Sequence, residues 1–405
     1  MGFWNSEIQL AELINKNIIS LGRGRIISSI DLQKKPGIYP VYSSSSQKGG
    51  LFGLYSEFDF NEELITWSVD GGGYFFYRPK HKFSVTNVSG VLKLNGPDFD
   101  YKFLYYSLVY QHSKEVFDYV DKAHPSVIKK RYSIPNISLE EQKKIAKILS
   151  KVDEVIDSTE KLIQKYEQLK VGLMQDLLTK GIDENGNIRS EVTHQFKDSP
   201  LGRIPLEWQF EPIENHLEFI TSGSRGWAPY YSDSGSTFIR ITNLERKNIS
   251  INLSDIQYVL LPTRAEGIRS ALKKEDILIS ITAELGLIGY VDKTLDAYIN
   301  QHIALVRLKP NTLNTKLIAY FLSSDYGQLL FANLNDGGAK AGLNLPTIRK
   351  IPIPIIGEAE STKIVMKIES VEKLIIVCSK QLYKLQNQKS GLMQDLLSGK
   401  VRVNY

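Results

Sequence analysis

The sequence predicts an α+β fold: two mixed α/β domains and two long antiparallel helices forming a coiled coil, arranged as a pseudo-twofold tandem repeat. Three observations carry that prediction. The heptapeptide Gly-Leu-Met-Gln-Asp-Leu-Leu begins at position 172 and recurs at 391, an offset of 219 residues that also carries Ile134-Pro135 onto Ile353-Pro354. Each copy closes a run in which apolar residues alternate spacings of four and three, the pattern of a long helix with a coiled-coil seam. Upstream of each run, short β-type segments alternate with glycine- and serine-rich loops and one short helical stretch. The repeated unit spans half the chain, far more than the ~20 to 50 residues of a solenoid repeat.

Residues 1–137 form the first mixed domain, with β-type runs at 64–68, 73–77 and 91–94 and a helical stretch at 103–110. Pro135 keeps the chain extended before the first long helix, 138–181. Ser138 and Glu141 have the spacing of a capping box that opens it. Its seam runs through Ile145, Leu149, Val152, Ile156, Thr159, Ile163, Tyr166, Lys170, Leu173 and Leu177. An adjacent row, Ile148, Val155, Leu162 and Leu169, widens the apolar stripe toward a second neighbour. Such a helix is about 60 Å long at ~1.5 Å per residue, more than a compact domain needs.

Gly181 is a left-handed stop, and residues 182–197 form a polar linker expected to act as a hinge. Asp183, Asn185 and Asn187 imitate the start of a calcium loop, but Ile188 stands where that loop requires glycine, so no metal is expected. Residues 198–357 form the second mixed domain. Its runs at 277–281 and 305–308 resemble those at 64–68 and 91–94, and its helical stretch lies at 317–322. The second long helix, 358–400, repeats the seam through Ile364, Ile368, Val371, Ile375, Cys378, Leu382, Leu385, Lys389, Leu392 and Leu396, before a short tail at 401–405. Even the lysine that interrupts the seam recurs, Lys170 as Lys389. Matching seams on two helices of one chain favour packing on each other at a shallow angle.

Of 405 residues, 42% are hydrophobic, enough for a core in each of two domains. Cys378 is the single cysteine, which excludes an intrachain disulfide and a cysteine-rich zinc site and favours a cytoplasmic location. Neither a secretory signal nor a run long enough to span a bilayer is found, so no membrane partner is expected. A net charge of +5 permits a nucleic-acid partner without demanding one.

A search for catalytic apparatus is negative. The chain has no phosphate-binding Gly-x-x-x-x-Gly-Lys loop, no His-Glu-x-x-His and no Gly-x-Ser-x-Gly elbow. Asp98, Asp100 and Lys102 stand too close in sequence for a nuclease carboxylate set and read as the turn that opens a helix. His302 borders an apolar run, where a satisfied core histidine is expected. The expectation is no catalytic residue, no metal and no cofactor site in this chain.

Polar, basic and aromatic loops are what the mixed domains do contain. In the first, Ser46, Gln47 and Lys48 lie in a serine- and glycine-rich loop, and Tyr77, Arg78, Lys80 and Lys82 follow in a basic cluster, with Lys129 in a third. In the second, the candidates are Ser222, Ser224 and Arg225, then Arg240, Thr242 and Asn243, then Lys340 and Asn344. Lysine suits phosphate contacts, while arginine, asparagine, glutamine and serine can read base edges. Each cluster alone would pass for a solvated loop. Six shared between two copies of a domain shift the balance toward a binding face, with Ser46, Gln47, Lys48, Tyr77, Arg78, Lys80, Lys82, Lys129, Ser222, Ser224, Arg225, Arg240, Thr242, Asn243, Lys340 and Asn344 as its candidate residues.

These elements resemble the specificity subunit of a type I restriction-modification system. The resemblance rests on Ser138-Leu139-Glu140-Glu141-Gln142, the twice-used heptapeptide, the linker from Gly181 to Asn187, and Asp198-Ser199-Pro200-Leu201-Gly202-Arg203-Ile204-Pro205. It covers essentially the whole chain. It implies that each mixed domain is a target recognition domain reading one half of a bipartite site in double-stranded DNA. The helix pair would be a spacer of fixed length that docks two modification (methyltransferase) subunits, joined by restriction subunits. S-adenosylmethionine would be bound by the modification subunit, and ATP and Mg by the restriction subunit. A non-enzymatic adaptor binding protein or carbohydrate surfaces is the alternative, and a self-contained nuclease or methyltransferase a more distant one.

Overall fold

The computed structural model describes residues 7–45, 47–70, 72–115, 123–246, 248–261, 266–334 and 342–403. The chain divides into two compact units, Met1–Leu162 with Cys378–Tyr405, and Ile163–Val377. Both boundaries fall inside long helices, Leu139–Thr179 and Glu358–Leu397, so each helix contributes one half to each unit.

The first unit is built on a six-stranded sheet, in spatial order Ile19–Arg23, Ser89–Leu94, Phe60–Ser68, Phe75–Val85, Tyr39–Tyr42 and Leu51–Tyr55. Neighbours are antiparallel except Tyr39–Tyr42, which runs parallel to Phe75–Val85. The central pairing sets Ile65 opposite Leu92, the two apolar runs singled out in the sequence. Asp100 caps the helix Tyr101–His112, accepting from the Phe103 amide at 2.9 Å, and that helix packs on the sheet. The acidic turn therefore opens a helix, as its composition suggests.

The second unit holds two four-stranded sheets. One is antiparallel, in order Leu217–Ser222, Ile303–Leu308, Ile277–Ser280 and Ile288–Tyr290, with Leu278 opposite Leu305. The other orders Tyr231–Ser232, Gln257–Val259, Ser236–Ile239 and Ala297–Ile299, the last pair parallel. Asn314 caps the helix Thr315–Ser323 as Asp100 does its counterpart.

The repeated heptapeptide has a packing role in each unit. Met393, Leu396 and Leu397 of the second long helix enter the core formed by Trp67, Leu92, Phe103, Leu108, Ile145 and Leu149. Leu177 and Leu178 of the first long helix enter the core formed by Trp208, Ile277, Leu317, Phe321, Ile364 and Ile368. Each buried leucine contributes about 1.5 to 3 kcal/mol. Similarity between the two copies thus follows from equivalent internal packing.

Polar contacts of carboxylates fix the helix directions inside each unit. In the first, Lys389 meets Asp153 and Arg402 meets Glu141, so rising numbers on one helix match falling numbers on the other. In the second, Lys170 meets Glu372, and Glu360 accepts from the Ile182 amide just past the first helix. Both contacts describe an antiparallel pair.

The linker differs from the expected hinge. Ile182 is buried, and Arg189 is paired to Glu360, which also accepts from Trp208 Nε1 at 3.3 Å. Residues 196–199 and 202–205 then form a hairpin whose Ile204 joins the second core. A segment with three buried anchors is part of the second unit.

Candidate nucleic-acid interface

In the second unit, strand topology gathers four loops that are remote in sequence at one end of the antiparallel sheet. The Gly223 amide donates to Ile303 O at 3.3 Å, Ile281 N to His302 O at 2.9 Å, and Leu343 N to Ile281 O at 3.0 Å. Ser224 also bridges Asn300 in parallel fashion. Glycine is required at 223, because a Cβ there would lie 2.2 Å from the backbone oxygens of Ile299 and Asn300.

This close approach presents Arg225 to solvent, followed by the left-handed Gly226. Trp227, buried behind it, donates its indole N–H to Ser224 O at 2.7 Å and stiffens the turn. Beside Arg225 lie Ser222, half-buried, and Ser224, whose hydroxyl is buried without a hydrogen-bond partner among the described residues. Asn344 is exposed at the fourth loop, where its side chain caps a short helix by accepting from the Thr347 amide. Lys340 lies outside the described residues. The rim therefore carries a cation with neutral donors and acceptors, the mixture suited to base edges and phosphates.

Asn300 and Gln301 at this rim escaped the sequence reading, which placed the adjoining His302 in the core. His302 Nδ1 lies 2.5 Å from Thr282 Oγ1, and its Nε2 lies 2.9 Å from Gln301 Nε2. The expected core histidine is thus a half-buried rim residue with polar neighbours. Their signal was a polar triplet interrupting two β-type runs.

The Arg240–Asn243 cluster of the second unit divides. Thr242 is exposed. Asn243, only 2% exposed, holds Asn252 O and Asp255 O with its amide and the Arg240 N–H with its oxygen. The Arg240 guanidinium is paired with Asp255 at 2.9 Å. Asn243 is a turn brace, and Arg240 is engaged beside it. This corrects the expectation that Asn243 reaches DNA, whereas Arg240 stays part-exposed in a pair whose Asp255 is exposed.

The first unit has a corresponding strand-end assembly. Val69 N donates to Val88 O at 3.0 Å, Ala123 N to Val69 O at 2.9 Å, and Trp67 Nε1 to Ala123 O at 2.7 Å. The hairpin loop that carries Gln47 and Lys48 stands beside it, since Thr86 N donates to Tyr42 O and Thr86 Oγ1 to Ser43 Oγ. Lys48, Gln47, Lys80 and Lys82 are exposed. Lys82 sits 4.8 Å from the Phe58 ring, a cation–π contact that orients it. Lys129 is half-buried on the helix Pro125–Arg131. Ser46 lies outside the described residues.

Arg78 and Tyr77 depart from the expected role. Arg78 is 6% exposed, stacked 3.6 Å from the Tyr42 ring centroid, with Nε donating to Thr66 Oγ1 at 3.0 Å. Burial pushes its pKa down to about 10. The Tyr77 hydroxyl donates to Glu63 at 2.5 Å, and burial raises its pKa above the ordinary tyrosine value. Arg78 is therefore a pillar beneath the hairpin, with Tyr77 locked beside it. A register shift, with Glu62 opposite His81 but Leu64 opposite Arg78, breaks the alternation along the strand Phe75–Val85, so Arg78 turns inward while Lys80 and Lys82 stay exposed.

Among the described residues, no group of three or more His, Cys, Asp or Glu is placed to hold a metal. No helix there is long and apolar enough to cross a membrane.

Residues 4–168 and 269–387 match the family described as type I restriction modification DNA specificity domain. The type I restriction enzyme MjaVIII specificity subunit of Methanocaldococcus jannaschii is 26% identical over 384 residues, covering 91% of this chain and 87% of that one. A putative MjaX specificity subunit from the same organism is 28% identical over 310 residues, covering 74% and 68%. Among solved structures, the S subunit of a type-I restriction-modification system from M. genitalium aligns with a TM-score of 0.61 at 16% identity. The match covers 98% of this chain and 96% of that one. A chain of another type I R-M system gives 0.56 at 14% identity, covering 98% of each. These two likenesses are of fold.

Proposed function

From the premise that this chain belongs to the type I restriction-modification DNA specificity family, we propose that it supplies the sequence specificity of such a complex and performs no chemistry itself. Each mixed domain is a target recognition domain reading one half of a bipartite site in double-stranded DNA. The observation that supports this reading best is the strand-end assembly found once in each unit, with Arg225 at the rim of one and Lys48 beside the other. The paired helices act as a coiled-coil spacer between half-sites and as the docking surface for two modification subunits, with restriction subunits completing the complex. S-adenosylmethionine, ATP and Mg belong to those partners. The adaptor alternative finds no support in the family match.

The test is to sequence methylated adenines in cells carrying this chain with its modification subunit. An interrupted motif with two unlike halves is expected, because the two recognition domains have diverged. Absence of any motif that depends on this chain would overturn the reading.

Two substitutions separate the contact classes. Arg225→Ala is expected to relax the second domain's half-site alone, by about 1 to 3 kcal/mol of discrimination if it makes a bidentate base contact. Lys80→Ala should weaken all sequences alike and lower the salt slope by about one. Binding titrations at several salt concentrations on half-site variants distinguish the two. Relaxation of the first domain's half-site by Arg225→Ala would refute the assignment of domains.

A further inference from the structure

The two lysines that interrupt the apolar seams belong to a pair of matching side-chain hubs. In the first unit, Asp153 Oδ1 lies 2.6 Å from Lys389 Nζ, while its Oδ2 accepts from the Tyr106 hydroxyl at 2.6 Å. In the second, Glu372 Oε1 lies 2.6 Å from Lys170 Nζ, while its Oε2 accepts from the Tyr320 hydroxyl at 2.6 Å. Asp153 and Glu372 are separated by 219 residues, as are Lys170 and Lys389. Each hub joins one long helix, the other long helix, and a short helix of the mixed domain, Tyr101–His112 or Thr315–Ser323.

Stability alone explains these groups poorly. Lys170 is 8% exposed on a seam where leucine would pack without desolvating a charge. A polar group at such a position trades stability for one register, because a shifted helix leaves the charge unpaired. Here each carboxylate oxygen serves a different element. Sliding the partner helix would break the lysine contact, and rotating the mixed domain would break the tyrosine contact. Burial and the adjacent carboxylate raise both tyrosine pKa values, so the hydroxyls remain donors.

We propose that Lys389–Asp153–Tyr106 and Lys170–Glu372–Tyr320 are positioning residues that set each recognition domain on the helix pair and thereby select the spacer length between half-sites. This rests on the proposed DNA-specificity function. The hubs touch no base; their effect is on how far apart the two halves are read.

The test uses the full chain assembled with its modification subunit and DNA duplexes with unchanged half-sites. Methylation rates are measured on the preferred spacer and on spacers one base pair shorter and longer. Tyr320→Phe and Lys170→Met should each reduce discrimination between spacers by about tenfold, the scale of one hydrogen bond to a charged group, with both half-sites unchanged. Lys170→Arg, which keeps the charge, should restore it. Tyr320→Phe removes one oxygen, so it keeps the proposal testable if Lys170→Met does not fold. Lowered thermal stability with wild-type spacer discrimination in Tyr320→Phe would overturn the proposal by reducing the hub to a structural contact. A wild-type complex with no two-part site would instead overturn the underlying function.

Discussion

Glu360→Ala destabilises the second unit by about 3 to 5 kcal/mol, the expected cost of removing one partner from a buried ion pair. Its carboxylate pairs with both Arg189 Nη atoms, one contact at 3.1 Å, and accepts from the Ile182 amide at 2.9 Å and Trp208 Nε1 at 3.3 Å. Arg189 is 9% exposed, so truncating its partner strands a cation where water has little access. The site has no slack, since Gly181 holds φ at +63° and a Cβ there would lie 2.2 Å from Glu360 Oε1. By contrast, the Glu12–Lys16 pair is more than half exposed on both sides, and removing it should change stability by under about 1 kcal/mol. Urea denaturation followed by hydrogen exchange at the Ile182 amide measures the difference. A loss below about 1 kcal/mol at Glu360 would show that the linker is anchored chiefly by apolar contacts.

Glu360 also shows where sequence reading reached its limit. Glu141 stands 219 residues earlier, fully buried, with Arg402 Nε and Nη2 each 2.7 Å from its carboxylate. The sequence offered Glu141 as half of a capping box, and Ser138 Oγ does accept from its amide at 3.3 Å. Nothing local announced that arginines beyond the ends of the long helices, Arg189 and Arg402, would reach these two glutamates.

What depended on short-range periodicity was legible. Predicted helix boundaries of 138–181 and 358–400 lie close to Leu139–Thr179 and Glu358–Leu397. The matched strand runs pair as Ile65 with Leu92 and Leu278 with Leu305. The binding rim was less legible because backbone contacts such as Leu343 to Ile281 join segments far apart in the chain. Residue type also misled at Arg78 and Asn243, because a strand bulge and turn geometry put their polar groups to internal use. A basic or amide side chain in a loop-rich segment says little until its direction is known.

The largest functional change is expected from removing one heptad from each long helix, residues 158–164 and 377–383, which are related by the repeat offset. Seven residues span about 10.5 Å of helix at ~1.5 Å each, or roughly three base pairs at ~3.4 Å each. The deletion leaves every hub residue and both recognition domains intact. A whole heptad also returns the apolar seam to its own face, whereas deleting three or four residues from one helix would turn the seam away from its partner. The recognised site should therefore keep both half-sequences and lose about three base pairs of spacer. Methylated-adenine mapping decides this directly: an unchanged spacer would show that the helices do not measure the distance, and altered half-sites would place base readout outside the mixed domains.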